Sequence, residues 1–230
     1  PLQDWAVLAL ATLLRDPAEG IRLAALQALL NPQTGLTQTA VWKAMADASL
    51  TIRQLACESS NLPAAKLEEG LSSAQPFRAE ACTLLLSRSG SFRAQRRLLE
   101  MAQLPVRQAY AFQQLRLPLI KAKSSGGTLL DLTLDQGVEA QLDRLFWLLT
   151  GLTDQFSAQH IRRALAGHDP IARANAAEAL DALTTPAFAA RVIPLLDGTP
   201  LNTLGQLAAS HYNLPAQTQA QTLRWAWPAL

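Results

Sequence analysis

Apolar and small residues return along this chain at helical spacing, three, four and seven positions after an arginine. After Arg22 they are Ala25, Leu26 and Leu29; after Arg173 they are Ala176, Ala177 and Leu180. A stripe of that period is one face of an amphipathic helix. The arginine follows an apolar or small residue each time: Ile21-Arg22, Ile52-Arg53, Phe77-Arg78, Val106-Arg107 and Ala172-Arg173. In four of these copies an alanine stands three positions later, as Ala25, Ala56, Ala81 and Ala176. Successive arginines lie 31, 25, 29 and 66 residues apart, so the last gap is about two periods wide. Recurrence at this period predicts a helical repeat, in which each unit buries its stripe only against a neighbour.

Each arginine helix has a helix ahead of it, expected at about 2–14, 37–48, 64–72 and 92–103. Asp16-Pro17 and Asp169-Pro170 read as an N-cap carboxylate followed by a proline in the first helical turn. Pro76 and Pro105, just ahead of Arg78 and Arg107, read as sharp turns into a second helix. The run from Lys121 to Asp135 opens Lys-Ala-Lys-Ser-Ser-Gly-Gly-Thr and has loop composition. It predicts a boundary: an N-terminal stack at 1–120, an irregular linker at 121–134, and a C-terminal stack at 135–230 with an atypical end. Helices are expected there at about 136–151, 157–166, 171–183, 186–196, 201–209 and 216–225. No stretch has the alternation of a strand.

The chain has 230 residues, 49% of them hydrophobic, enough to bury a sizeable core. Its net charge of +2 does not by itself call for a polyanionic partner. The apolar runs Trp5–Leu14 and Leu145–Leu152 fall short of the ~20 residues a membrane-spanning helix needs. Asp4 before the first apolar run, with no basic stretch ahead of it, is unlike a signal peptide, and a start at Pro1 reads as a segment of a larger protein. Cys57 and Cys82 each lie four residues after an arginine. Equivalent positions on stacked helices are about 8–10 Å apart, beyond disulfide reach, so two reduced core thiols are expected.

The Asp-Pro turns and helix-borne arginines resemble the HEAT-repeat superfamily, in which pairs of antiparallel helices stack into a solenoid. The resemblance implies an all-α solenoid of about five to seven pairs. It also implies a structural ladder between turn acids and second-helix arginines, made of Asp16, Asp47 and Asp169 with Arg22, Arg53, Arg78, Arg107 and Arg173. Ser72 stands where the third copy would carry the acid, and the fourth copy has no clear equivalent. A narrower resemblance covers Leu145–Asp197, through Leu-Phe-Trp-Leu-Leu-Thr-Gly-Leu, His160 to Leu165, Arg173 to Leu183 and Ile193 to Asp197. That region is similar to the cytosolic HEAT segment of large bacterial proteins that carry a nucleotide-carrier-like transporter domain. It implies a non-catalytic interaction or regulatory scaffold in the bacterial cytoplasm, held at the membrane face through a domain outside this sequence. The partner would be another protein or neighbouring domains of the same chain.

Other chemistry is sparse. Arg93, Arg96 and Arg97 share a helix side, and Arg162-Arg163 adds a second basic pair. Together they keep open a nucleic-acid-binding module, or a HEAT-like lyase or glycosylase. Glu100, three and four residues after Arg97 and Arg96, offsets the first cluster. Lys121, Lys123, Ser124, Ser125, Gly126, Gly127 and Thr128 have the composition of a phosphate-binding nest without the order of a P-loop. His160, His168 and His211 lack metal-ligand spacing, and no catalytic signature or cofactor motif is present. No catalytic, cofactor or metal site is therefore expected. Trp5, Trp42 and Trp147 read as core or cap residues, while Trp225-Ala226-Trp227-Pro228 reads as a cover for the last repeat or a docking segment.

Overall fold

The computed structural model describes residues 4–30, 37–122, 125–216 and 221. Among them every regular element is helical. In chain order these are α1 Asp4–Leu13, α2 Glu19–Leu29, α3 Thr37–Ala44, α4 Leu50–Glu58, α5 Ala64–Leu71, α6 Pro76–Arg88, α7 Phe92–Ala122, α8 Ser125–Leu149, α9 Gln155–Ala166, α10 Pro170–Leu183, α11 Pro186–Val192 and α12 Leu201–Tyr212. A 3-10 turn, Ile193–Leu195, follows α11. No described helix is long and apolar enough to cross a membrane.

Two compact units divide the chain, Pro1–Leu98 and Leu99–Leu230. In the first, consecutive helices pack in pairs: α1 on α2, α3 on α4 and α5 on α6. The second member of each pair also touches the next, α2 against α4 and α4 against α6. Their stripes make the core: Ala25, Leu26 and Leu29 of α2, Ile52, Ala56 and Cys57 of α4, and Ala81, Cys82 and Leu84 of α6 are all buried. In the second unit α9 packs on α8 and α10, and α10 on α11. Leu115 and Leu119 of α7 form one apolar cluster with Leu130 and Leu134 of α8, and Phe112 rests against it.

Three expectations are corrected. Residues 121–122 and 125–134 are helical rather than an irregular linker, and 123–124 lie outside the described residues. Of the loop-like run, Lys121 and Ala122 end α7, and Ser125 to Thr128 make the first turn of α8, where backbone N–H groups have no intrahelical partner to lose. Beyond them Leu130, Leu134, Val138, Leu142 and Leu145 are buried along one face, and at roughly 1.5–3 kcal/mol per buried side chain that stripe outweighs glycine's preference for coil.

Pro105 does not mark a turn. It lies with Pro118 inside the 31-residue α7, and the two units divide within that helix, after Leu98. An interior proline removes one backbone hydrogen bond and costs about 3 kcal/mol. Leu98, Ala102, Val106, Ala109 and Tyr110 are all at most 1% exposed, which is more than enough burial to hold the helix through the break.

Asp16 does not cap α2. It accepts the Ala18 amide at 2.8 Å, and the helix starts at Glu19 with Ala18 as its N-cap. Closing this short turn first delays helix entry and aims Arg22 back toward the turn. Asp169-Pro170, in contrast, begins α10 as expected, with the Asp169 carboxylate accepting the Ile171 amide at 2.9 Å. The expected 216–225 helix, with Trp225 and Trp227, lies almost wholly outside the described residues, although Ala216 is described and is not helical.

Candidate functional site

Turn carboxylates and helix arginines converge most fully in the first unit. Arg22 on α2 donates from Nη1 to the carbonyls of Asp16 and Pro17, at 2.9 and 3.0 Å. Its Nε and Nη2 donate to Asp47 of the next turn, at 2.8 and 2.9 Å. Asp47 also accepts the Ser49 amide at 2.8 Å. Burial pushes the Asp47 pKa up, but the hydrogen bonds from Arg22 and Ser49 and the charges of Arg22 and Arg53 outweigh it and hold the carboxyl below its ordinary value. Ser49 in turn donates its hydroxyl to Glu19 at 2.6 Å, a second tie between the starts of α2 and α4.

Arg53 on α4 repeats the local half of this arrangement. Its Nη1 donates to the carbonyls of Asp47 and Ala48, at 2.7 and 2.8 Å, and its guanidinium lies 4.3 Å from the centre of the Phe77 ring on α6. Arg78 departs from the pattern. It donates from Nε to the Trp42 carbonyl at 3.2 Å and packs 4.7 Å from the Trp42 ring centre. In that third turn the amide of Gln75 is taken by the hydroxyl of Ser73, at 3.2 Å, and not by Ser72.

Arg107 is exposed on α7, where a continuous helix leaves no turn for it to meet. Arg173 donates to the carbonyl of Asp197 at 3.5 Å, 24 positions ahead. Asp197, whose carboxylate accepts the Thr199 amide at 3.0 Å, thus meets Arg173 through its backbone carbonyl, and not through its carboxylate as Asp47 meets Arg22.

The basic residues fare differently from one another. Arg162 on α9 is taken up by Glu139, at 2.8 Å, and by Asp143, both on α8, and faces the Phe146 ring. Its neighbour Arg163 is exposed. Arg97 on α7 donates Nη2 to the carbonyl of Leu71 at the end of α5, 3.0 Å away. Arg93 and Arg96 are exposed. Arg93 and Arg97 line a cleft of about 270 Å³ with Glu68, Leu71, Ser72, Leu86, Ser91 and Ala94. Arg96 does not line it. Three elements build the cleft: the last turn of α5, the last turn of α6 and the first turns of α7. Ser91 accepts the Ala94 amide at 3.4 Å, and its hydroxyl proton is left to donate.

Several polar anchors of the second unit have no sequence signature. Arg116 joins Asp131, at 2.8 Å, and Asp135 to Gln113, pinning α7 to α8. Tyr110, fully buried, donates its hydroxyl to the Arg191 carbonyl at 2.9 Å and packs on Tyr212. Gln114 donates to the carbonyls of Gly205 and Leu214. Cys57 and Cys82 are free and buried, and burial pushes their thiols up to about 12 and about 11. The three histidines are exposed, and no group of three His, Cys, Asp or Glu gathers among the described residues. Ser125 to Thr128 form the first turn of a helix and not a nest. Trp5 is 69% exposed and Trp147 is buried. No protein-family model matches the chain, and no curated protein and no solved structure is significantly similar to it.

Proposed function

We propose that this chain is a non-catalytic helical-repeat scaffold of the HEAT type that presents a surface to a protein partner. The supporting observation is the recurrence of one arrangement in successive helix pairs: an arginine folded onto the carbonyls five and six positions before it, with the same head on the next pair. Arg22 does this through Asp47 and Arg53 through Phe77. Stacked pairs of this kind make an extended surface whose work is contact rather than chemistry. A cytosolic setting beside a membrane domain, expected from the narrower resemblance, is part of the same proposal.

Small-angle scattering of the full chain tests the repeat part of the reading. A 230-residue globule has a radius of gyration of about 17 Å, and a stack of pairs gives a clearly larger value; a value near the globule's overturns it. Binding of a labelled double-stranded oligonucleotide at physiological salt tests the rest. The reading expects weak, sequence-independent binding, because Arg162 is already neutralised by Glu139 and Asp143. Tight binding would move the function to nucleic acid.

A further inference from the structure

The cleft between α5, α6 and α7 has more cationic capacity than its own fold uses. Arg93 and Arg97 stand one helical turn apart, with Cβ atoms roughly 5–6 Å from each other by helix geometry. Arg97 spends one N–H on the Leu71 carbonyl, which holds the guanidinium in place. Arg97 lines the same space as Arg93. Ser72 and Ser91 add two hydroxyls to that wall. Two guanidiniums and two hydroxyls around about 270 Å³ suit a single carboxylate better than a chain of phosphates.

Two further features narrow the occupant. Glu68 lines the same cleft, and its carboxylate repels a ligand of dense negative charge while tolerating one isolated anion. Phe92, which precedes Arg93 at the start of α7 and lies outside the cleft wall, is 80% exposed and offers an apolar surface to a segment that continues out of the cleft around the helix. We propose that this cleft is a recognition site for an acidic, partly apolar peptide segment, with one Asp or Glu side chain clamped between Arg93 and Arg97 and an apolar neighbour laid on Phe92. This rests on the scaffold reading and names its partner class.

The test uses the full chain and fluorescein-labelled eight-residue peptides of serine and leucine with a single central glutamate, with lysine in place of glutamate in the control, followed by fluorescence anisotropy. Binding of the acidic peptide is expected with a Kd on the order of 10–100 μM, at least tenfold tighter than the lysine peptide. Arg93→Ala, at an exposed position, should weaken it about fivefold to tenfold. Glu68→Gln should tighten it about twofold, and Arg163→Ala should leave it unchanged. Thermal melts check that each variant is folded, and the opposite signs of the Arg93 and Glu68 effects keep the outcome readable if one variant is lost. The proposal is overturned by acidic and lysine peptides binding alike, by equal losses from Arg93→Ala and Arg163→Ala, or by a single-stranded oligonucleotide binding more tightly than the peptide through Arg93. An extended particle in scattering with no peptide binding sinks the cleft and leaves the scaffold reading standing, whereas a compact particle sinks the latter.

Discussion

Arg22 and Asp47 meet through two parallel hydrogen bonds, Nε to Oδ2 at 2.8 Å and Nη2 to Oδ1 at 2.9 Å, across 25 positions of sequence. Both side chains are mostly shielded, at 15% and 10% exposure. Removing either partner leaves a charged group with little water to replace it. Asp47→Ala is expected to lower unfolding stability by about 2–3 kcal/mol, and Arg22→Ala by a similar amount. The double variant should cost clearly less than the two losses together, as denaturant unfolding of all four proteins would reveal. Simple additivity would mean that the pair is incidental.

The same pair sets a pH dependence whose sign follows from the lowered pKa of Asp47. The unfolded chain titrates near the ordinary aspartate value of about 3.9. Stability from the pair is therefore complete above that value and is lost as pH falls through the lower, folded one. Urea midpoints measured from pH 6 down to pH 2.5 should drop less steeply for Asp47→Asn than for the wild type. Identical slopes would remove Asp47 from the acid response.

Gly70 is a place where one methyl group decides the packing. A Cβ there would sit 2.3 Å from the Cys82 Sγ and 3.1 Å from the Trp42 ring. Gly70→Ala is expected to destabilise by about 1–3 kcal/mol despite alanine's better helix propensity. Adding Cys82→Ala takes away the sulfur and should recover part of the loss. A Gly70→Ala protein more stable than wild type would show that α5 and α6 are farther apart than described.

Cys57 and Cys82 should behave as inert core thiols. Burial keeps both protonated at pH 8, since their pKa values stand at about 12 and about 11, and it also keeps reagent away. Ellman's reagent at pH 8 is expected to label neither in the folded protein and both in guanidinium. Rapid reaction of either thiol without denaturant would contradict its placement in the core.

Legibility from sequence followed the physics of each element. The stripes after Arg22 and Arg173 were readable because periodicity reports burial directly, and the start of α10 because Asp169-Pro170 carries a local capping signal. Continuity through Pro105 was not, since a proline announces its cost while the burial of Val106, Ala109 and Tyr110 that offsets it comes from distant chain. Composition concealed the helix at 125–134 for the same reason, and with it the Arg116 hub, whose partners Asp131 and Asp135 lie there or next to it. The cleft is assembled from α5, α6 and α7. Sequence showed the α7 arginines as a basic cluster, but it had no means of placing Glu68 and Ser72 opposite two of them.

The backward reach of Arg22 and Arg53 onto carbonyls five and six positions earlier has a bearing on how such a chain tolerates change in length. Each turn is closed by a residue it carries within seven positions, so its geometry does not depend on how many residues separate it from the next. The preceding helices run to 10 and 8 residues and the helices after the turns to 11 and 9, yet the closure is the same in both. A change of length between these two turns therefore leaves the local closure of each corner intact, and it is felt only where it shifts Asp47 away from Arg22.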